Sequence, residues 1–418
     1  MDALTTPLPK DWEAVKVEDI FEIITDFSAA GSFAQQSQMV QYTNDRTNYA
    51  QLIRTTELKN GFNNTNAIYI NKEAFEFLWR VNLNSDAIIL PNIGINCGEI
   101  YYVDIKKLIH KHNALAPNAI LLRTKKANLK FLFYTFLDTW FQKQLINIIT
   151  SSAQPKFTKT DLRDLLIPLP PLNEQIAIAN ILSALDRYLY NLRALILKKE
   201  SVKKALSFEL LSQRKRLKGF NQAWQKVRLG TYKYRRGSFP QPYGNPQWYS
   251  DNGMPFVQVY DVGENFKLTQ KTKQKISKIA QPMSVFVPKN SVIITLQGTI
   301  GRVALTQYDC YCDRTILIFD NNTLNDVNKY FFVLSLFTKF EEEKRKADGS
   351  IIKTITKQTL KDFEILLPPL NEQIAIANIL SALDSEIISL KNKKRQFENI
   401  KKALNHDLMS AKIRVLNK

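Results

Sequence analysis

Apolar residues recur in steps of three and four along two long segments of the chain. The repeating positions are Ile178, Leu182, Leu185, Leu189, Leu192 and Ile196 in the first segment, and Ile376, Leu380, Leu383, Ile387 and Leu390 in the second. This spacing places the apolar side chains on one stripe of a helix, as in the seam of a coiled coil. Neither stripe contains glycine or proline, so each segment predicts an unbroken helix of about 44 residues, roughly 66 Å long.

The two segments begin with the same eighteen residues, LPPLNEQIAIANILSALD, at 169–186 and again at 367–384. The offset of 198 residues is too long for a solenoid, whose repeats run about 20–50 residues. The paired prolines suit the entry to a helix, because proline presets φ and needs no hydrogen-bond partner for its nitrogen there. Glu174 and Glu372 come early, where the helix dipole favours an anion. The pattern therefore predicts a duplicated domain-plus-helix unit.

A helix of this length cannot bury its stripe on one small domain, so each copy is the expected partner of the other. The 148 residues between them, 218–365, form a globule about 38 Å across. Parallel pairing would require that globule to span the whole helix, whereas antiparallel pairing does not. We expect an antiparallel pair and an α+β fold with a pseudo-two-fold repeat: two globular mixed α/β domains separated by the two coiled-coil helices. The alternative is two unrelated amphipathic helices docked on separate domains.

The segments that precede the helices are predicted to be two related globular blocks. Both open with a tryptophan, Trp12 and Trp224, followed by the pattern x-x-Val-basic-aliphatic. Strand-like runs at 86–90 and 291–296 precede glycine loops, and helical runs at 129–149 and 326–339 follow. The predicted division is a first block at 1–167, a central helix at 168–217, a second block at 218–365 and a C-terminal helix at 366–418.

Composition narrows the class of protein. A 44% hydrophobic share in 418 residues supports folded cores rather than disorder. Three cysteines without an even framework favour a reducing, cytoplasmic compartment, and Cys310-x-Cys312 lacks the second pair that a zinc site needs. The first fifteen residues have no apolar core of a signal peptide. The apolar run at 131–150 is interrupted by Asp138 and Lys143, which predicts a buried helix rather than a membrane span.

Charge points to nucleic acid. The formal net charge is +19, and it is unevenly distributed. The first block carries +1, the central helix +5, the second block +9 and the C-terminal helix +4. A basic excess of this kind indicates a polyanionic partner, and the alternative is a basic protein with no nucleic-acid role.

The second block contains more recognisable candidate DNA contacts than the first. Basic and aromatic residues alternate beside a glycine, and a G-x-x-G loop leaves the predicted strand at 291–296. Glutamine and arginine can each form two hydrogen bonds with a base edge, and glycine lets the backbone approach a phosphate. An ordinary β-turn is the alternative interpretation of the loop. The candidates are Tyr234, Arg235, Arg236, Ser238, Gln297, Thr299 and Arg302, with Asn96 at the corresponding place in the first block.

Motifs for catalysis are missing from the sequence. It contains no GxGxxG opening a helix, no Walker loop, no methyltransferase tetrad of the [DN]PP[FY] type and no helicase box. Asp313 and Arg314 could act in chemistry, but a surface salt bridge is the simpler interpretation. We expect no catalytic residue, no metal site and no cofactor in this chain.

The complete pattern resembles the DNA specificity subunit of type I restriction–modification systems. The resemblance rests on the P-L-P-P-L-x-E-Q motif at 168–175, its counterpart at 366–373, the two tryptophan openings and the G-T-I-G-R loop at 298–302. It implies two target recognition domains that each recognise one half of a bipartite, asymmetric DNA site. It also implies that the helices form a spacer and a subunit interface. The residues assigned to this role are Pro170, Glu174, Gln175, Leu182, Leu189, Pro368, Glu372, Gln373, Leu380 and Ile387.

The same resemblance implies the partners. Two modification subunits would bind S-adenosylmethionine and methylate adenine N6, and two restriction subunits would use ATP and Mg²⁺ to translocate and cut DNA. The chain itself would be noncatalytic, cytoplasmic and not bound to a membrane. Two alternatives remain: a coiled-coil scaffold without sequence-specific DNA binding, and an enzyme with its own fused nuclease or methyltransferase domain, which the missing motifs disfavour.

Overall fold

The structure, a computed structural model, describes residues 8–297, 300–346 and 357–415. The chain forms two compact units. The first unit comprises residues 1–193 and 392–418, and the second comprises 194–391. Each unit therefore contains one globular block and part of each long helix. The predicted division, with boundaries at 167, 217 and 365, separates each block from its long helix instead of grouping them in one unit. It stays a prediction.

The first unit contains nine strands and seven helices among its described residues. The strands are β1 (Glu13–Lys16), β2 (Ile23–Asp26), β3 (Ala50–Ile53), β4 (Ile68–Ile70), β5 (Ala87–Pro91), β6 (Tyr101–Val103), β7 (Asn113–Leu115), β8 (Ala119–Arg123) and β9 (Leu166–Leu169). The helices are α1 (Val17–Ile20), α2 (Phe33–Met39), α3 (Thr55–Asn60), α4 (Lys72–Phe77), α5 (Leu129–Phe136), α6 (Thr139–Ile148) and α7 (Lys159–Arg163). Helix α8 (Leu172–Leu211) begins in this unit and continues into the second.

The described part of the second unit contains ten strands and two shorter helices. The strands are β10 (Gln225–Arg228), β11 (Tyr234–Arg236), β12 (Tyr249–Val257), β13 (Gln274–Ile276), β14 (Val285–Val287), β15 (Val292–Thr295), β16 (Val303–Leu305), β17 (Cys310–Cys312), β18 (Ile316–Phe319) and β19 (Glu364–Leu367). The shorter helices are α9 (Lys329–Lys346) and α10 (Lys357–Lys361). Helix α11 (Leu370–Met409) begins here and ends in the first unit.

The sheets of the two units have the same topology. A two-stranded pair, β1–β9 or β10–β19, joins the start of each block to its end. A four-stranded antiparallel sheet follows, with the order β2-β8-β5-β6 in the first unit and β11-β18-β15-β16 in the second. A further sheet contains one parallel pair, β3–β7 or β12–β17, and the second unit adds β14 at its edge. The blocks are therefore duplicated in structure, although their sequences differ widely.

Each long helix is attached to its own block through a buried glutamate at its start. In the first unit Glu174 accepts the indole N–H of Trp12, with Nε1 to Oε2 at 3.1 Å. The same carboxylate accepts two bonds from Arg414, whose Nε lies 2.8 Å from Oε1. Arg414 also binds Asp11 at 2.7 Å. These bonds raise the pKa of Arg414, so the guanidinium remains charged. We call Trp12, Glu174 and Arg414 the first anchor.

The second unit repeats this arrangement with residues displaced by 198 positions at the helix and at the arginine. Glu372 accepts from Trp224 at 3.1 Å and from Arg216 at 2.8 and 2.7 Å. Trp224, Glu372 and Arg216 form the second anchor. In both anchors the arginine lies beyond the end of the other long helix, so each anchor joins three separate parts of the chain.

The glutamine after each anchor glutamate fixes a second helix. Gln175 donates to the carbonyl of Pro170 at 2.8 Å and accepts from the backbone N–H of Asn128 at 2.9 Å. Gln373 does the same with Pro368 and Asn328, at 2.8 and 2.9 Å. Asn128 caps α5 and Asn328 caps α9 through their side-chain oxygens. The Glu-Gln pair therefore sets the position of the long helix against its own block.

The long helices are antiparallel within each unit. In the first unit the Asp186 carboxylate binds the ammonium of Lys401, and the rings of Tyr188 and Phe397 lie 4.7 Å apart. In the second unit Lys199 binds Glu386 at 2.9 Å and Lys203 binds Asp384. The residue numbers of the partners rise along α8 and fall along α11, as antiparallel packing requires. The predicted fold class, including this pairing and the internal repeat, is confirmed.

A tyrosine of each block fastens the middle of the docked helix segment. Tyr134 donates to Asp186 at 2.7 Å, and Tyr330 donates to Asp384. Burial, together with the bond to Asp186, raises the pKa of Tyr134 well above its usual value. The phenol therefore stays protonated and remains a donor. The two tyrosines occupy different positions on α5 and α9. The two units therefore form the same tyrosine–aspartate hydrogen bond from sequence positions that do not correspond.

One predicted helix is divided in two. The apolar run at 129–149 forms α5 and α6, and the break falls at Asp138. The buried Asp138 carboxylate accepts from the backbone N–H of Trp140 at 2.9 Å and so caps α6. The second predicted helical run, at 326–339, begins at Lys329 and extends to Lys346. Neither difference changes the fold.

Within the described residues, α11 alone is long and apolar enough to cross a membrane by length and composition. Its apolar stripe has another explanation, because Ile376, Ala377 and Leu380 are buried in the core of the second unit. The same helix carries Asp384 and Lys401 in the ion pairs described above. Packing on the block and on α8 accounts for its apolar character.

We predict that Arg414→Ala destabilises the first unit by about 3 kcal/mol, because the Glu174 carboxylate would stay buried without its guanidinium partner. Hydrogen–deuterium exchange should show faster exchange in the first unit and unchanged exchange in 216–365. Arg216→Ala is the matched variant and should give the reverse pattern. Exchange that rises equally in both units for either variant would contradict the assignment of separate anchors.

Candidate nucleic-acid interface

One edge of the four-stranded sheet carries most of the predicted DNA contacts in both units. In the second unit β11 and β15 end at this edge and β18 begins there, since Arg236 pairs with Leu317 and Thr295 with Ile316. In the first unit β2, β5 and β8 meet in the same way. Three loops leave each edge, and we call it the loop edge of that unit. Loops supported by a rigid sheet commonly carry binding residues.

At the second loop edge the structure brings Arg236, Ser238 and Gln297 together. Arg236 ends β11, and its exposed side chain forms no hydrogen bond or ion pair with a residue that the structure describes. Ser238 Oγ donates to the carbonyl of Met283 at 3.0 Å. Gln297 is exposed two residues after β15. A Cβ on Gly237 would lie 2.2 Å from the carbonyl of Cys312, so only glycine permits this close approach of the loops.

The predicted contact Arg302 also lies at this edge, but it already has partners. Its guanidinium donates to the carbonyl of Val262 at 3.2 Å and to Glu264 at 2.9 Å. The Glu264 side chain is 84% exposed, so the ion pair is weak and an anionic ligand could compete for the arginine. Gly301 precedes it with a φ of +78°, which favours glycine. Thr299 lies outside the described residues.

One further arginine at the second loop edge, Arg314, was not predicted as a DNA contact. Arg314 is exposed in the loop before β18, and its guanidinium carbon lies 5.1 Å from the centre of the Tyr243 ring. The Tyr243 hydroxyl donates to Asp313, which is buried and also accepts from Thr315 at 2.7 Å. The sequence suggested a surface salt bridge between Asp313 and Arg314. The structure instead gives Asp313 a structural role and leaves Arg314 available to solvent.

Tyr234 and Arg235 lie further from the loop edge, on β11. The ring of Tyr234 packs on Phe319 with ring centres 5.5 Å apart, and the side chain is half-buried. Arg235 is exposed and donates to the carbonyl of Phe286 at 3.4 Å. The structure thus gives Tyr234 a packing role, whereas Arg235 presents its charge to solvent on the strand that Arg236 ends.

In the first unit Asn96 lies in the turn that follows β5. Gly94 donates to Pro155 and Gly98 to Pro91, both at 2.9 Å, so the turn is held at both ends. Gly98 has a φ of +86°, and a Cβ there would lie 2.8 Å from Ile149. The Asn96 side chain accepts from Lys59 at 2.5 Å. The first loop edge therefore presents Asn96 on a rigid turn, as the matching of the two blocks predicted.

The two loop edges differ in charge. The second presents Arg236, Arg302 and Arg314. In the first, Lys59 is bound to Glu99 at 2.7 Å and Lys159 to Asp26 at 2.9 Å, and of the neighbouring lysines the exposed Lys156, which bridges to Ile93, forms no ion pair with a residue that the structure describes. This contrast agrees with net charges of +9 and +1 for the two blocks. The second loop edge therefore carries the larger excess of positive charge.

The predicted spacer residues are largely enclosed by their own units. Their side chains are buried except that of Leu189, which is half-buried. They are Pro170, Glu174, Gln175, Leu182, Leu189, Pro368, Glu372, Gln373, Leu380 and Ile387. The geometry gives the glutamates and glutamines an internal role, since their polar atoms already have the partners described above. Exposed apolar side chains on the same helices, Leu172, Ile176, Leu370 and Ile374, are more accessible to another subunit.

Within the described residues no three His, Cys, Asp or Glu side chains are grouped as metal ligands. Cys310 and Cys312 are buried in β17, and burial raises the pKa of the Cys312 thiol well above its usual value. A protonated, buried thiol is a poor nucleophile and a poor metal ligand.

The arrangement of the side chains at the two loop edges suits recognition of a ligand by hydrogen bonds and charge.

Comparisons with known proteins agree with this arrangement. The family described as "Type I restriction modification DNA specificity domain" matches residues 9–200 and 238–399. The putative type I restriction enzyme MjaX specificity subunit of Methanocaldococcus jannaschii is 28% identical over 98% of this chain and 95% of the relative. The type I restriction enzyme MjaVIII specificity subunit of the same organism is 24% identical, with the same coverage of both chains.

Solved structures show the same fold. The S subunit of a type I restriction–modification system from M. genitalium aligns with a TM-score of 0.62 at 15% identity, covering 97% of this chain and 98% of that one. A chain from a structural study of the assembly and conformational transition of the type I R-M system aligns with a TM-score of 0.58 at 17% identity, covering 96% and 98%. The family match spans most of both blocks and of both long helices, and the chain therefore belongs to the type I restriction modification DNA specificity family.

Proposed function

We propose that this chain is the noncatalytic DNA specificity subunit of a type I restriction–modification complex. The observation that carries the proposal is the duplication of a sheet with the same loop edge, each copy attached to one of two repeated helices. Each loop edge would recognise one half of a bipartite, asymmetric DNA site. The helices would set the gap between the halves. The different residues at the two edges explain why the two half-sites would differ.

The partners follow from this role. We propose that two modification subunits, which bind S-adenosylmethionine and methylate adenine N6, dock on repeated surfaces of the helices. Two ATP- and Mg²⁺-dependent restriction subunits would join through them. The complex would act on double-stranded DNA in the cytoplasm. This chain would supply recognition and assembly, and the chemistry would take place in its partners.

The second candidate function is a coiled-coil scaffold that binds protein and no particular DNA sequence. It is favoured only by the long helices, and it leaves the duplicated loop edges without a role. Selection of bound duplexes from a random DNA pool separates the two functions. A split motif supports the specificity subunit, whereas recovery of no motif supports the scaffold.

We predict that Arg236→Ala weakens binding to non-specific duplex DNA and lowers the slope of log affinity against log salt by about 0.9, the value of one lost phosphate contact. The loss should apply to all sequences if the contact is to phosphate alone. Titrations at several salt concentrations measure the slope. Arg228→Ala removes an exposed arginine from β10, away from the loop edge, and is the matched control. Equal slopes for wild type and Arg236→Ala would contradict the contact.

We predict a complex of one copy of this chain with two modification subunits. Helix surfaces repeated at an offset of 198 residues offer two equivalent sites to one partner. Native mass spectrometry of the co-purified complex gives the stoichiometry directly. A mass that stays at one partner per chain under saturating partner concentration would count against two equivalent sites.

We predict that lengthening both helices changes the gap and leaves both half-sites unchanged. Seven residues inserted after Arg193 and after Lys391 add about 10 Å to each helix and preserve its face to within about 20°. The gap should grow by about one to three base pairs. Methylome sequencing of cells that carry the complex gives the gap and the bases together. Insertion in α8 alone is the control, and it should impair assembly because it shifts Lys199 and Lys203 away from Glu386 and Asp384.

A further inference from the structure

The first unit carries a surface helix that contributes nothing to the core. None of the seven residues of α2 (Phe33–Met39) is buried. Phe33 is 86% exposed, and Tyr42 just beyond the helix is 55% exposed. A helix that is polar or exposed on all sides gains little from packing, so its position must be maintained in another way.

Side-chain bonds maintain the position of α2. Ser32 and Gln35 form a capping box at its start. Gln36 donates to the carbonyl of Gly31 at 2.7 Å, and Gln41 donates to Ser37 at 3.0 Å. Gln38 is exposed and forms no hydrogen bond with any residue in the described ranges. One glutamine of four is thus entirely available, and the Gln41 amide keeps its oxygen and one N–H for another partner.

A groove of about 590 Å³ lies between α2 and the first loop edge. Its lining includes Phe33, Gln36, Gln41 and Tyr42 from the α2 segment, and Asn92 and Asn118 from the ends of β5 and β8. Asn92 and Ile93, also in the lining, lead directly into the turn that presents Asn96. Ile95, which immediately precedes Asn96, is 97% exposed at the tip of that turn.

The chemistry of the groove is amide and apolar rather than cationic. Its one acidic residue, Asp26, is neutralised by Lys159 at 2.9 Å. Amide side chains pair with the N6 and N7 edge of adenine, and apolar side chains contact the thymine methyl group. Guanine recognition would instead use arginine or lysine. The groove is therefore complementary to A·T base pairs in the major groove of DNA.

We propose that this groove recognises A·T base pairs of the half-site assigned to the first unit, and that Gln41 in its lining and Gln38 on the exposed face of α2 beside it pair with adenine there. Phe33, Tyr42 and Ile95 contact thymine methyl groups beside them. The proposal rests on the proposed function, because it assigns bases and residues to one of the two recognition sites. It also gives the two units different chemistry: amides and apolar groups in the first, and guanidinium groups in the second.

The test uses the full-length chain and selection of bound duplexes from a random DNA pool. The double variant Gln38→Ala, Gln41→Ala should lose preference for A·T over other pairs by about 5- to 150-fold at one or more positions of one half-site. The other half-site and the gap should not change. Gln222→Ala removes an exposed glutamine of the second unit and should select the wild-type motif. Arg302→Ala, which removes an arginine of the second loop edge, identifies the half-site that belongs to the second unit.

A second variant guards against simple unfolding of α2. Gln38→Glu, Gln41→Glu retains side-chain size, and a carboxylate accepts a hydrogen bond from cytosine N4, so preference should move from A·T towards C·G at the same positions. Circular dichroism and thermal melting should match wild type. A wild-type chain that selects no motif overturns the proposed function and this proposal together. A wild-type motif that both double variants leave intact overturns this proposal alone.

Discussion

A buried carboxylate at the start of each long helix determines how the molecule is built. Glu174 and Glu372 are removed from water, and a charge in that position is tolerated only with close, hydrogen-bonded partners. The indole and the guanidinium supply them in both units. This interaction fixes the orientation of each long helix on its own block. It therefore also fixes the direction in which the helix of each repeated unit runs. The preceding prolines and the following glutamine serve the same purpose.

This constraint explains which parts of the sequence are repeated and which are free. The helix starts are identical because the same anchor must form twice. The loop edges lie on matched sheets but carry different side chains, so the second presents the exposed Arg236 and the first presents Asn96 on its turn. Matched sheets that carry different surface loops are what a pair of distinct recognition sites requires.

The helices and the repeat could be predicted from the sequence because they rest on local periodicity and identity. Strands at 87–91 and 292–295 were also predictable, since each is a short apolar run before a glycine turn. The fold of the family followed from the repeated motif. The anchors could not be predicted from the sequence, because residues that form or support them, such as Asp11 and Arg414, are adjacent only in space. The break at Asp138 was missed since apolar periodicity continues across it. The α2 groove was missed for a similar reason: a glutamine-rich stretch has no periodic signal, and the strand ends that complete the site are distant in sequence.

The chain segments that form the two units also determine the order in which the units can be completed during synthesis. The second unit is one continuous stretch, 194–391, whereas the first needs residues 392–418 in addition to the N-terminal part. The bond between Asp11 and Arg414 joins residues 403 positions apart. Domains generally fold as they emerge, from the N-terminus onward. Here the ribosome delivers the complete second unit first. The first block is made earlier, but its Glu174 carboxylate still lacks its arginine at that point. The nascent chain therefore carries an unfinished first unit throughout the synthesis of the second unit.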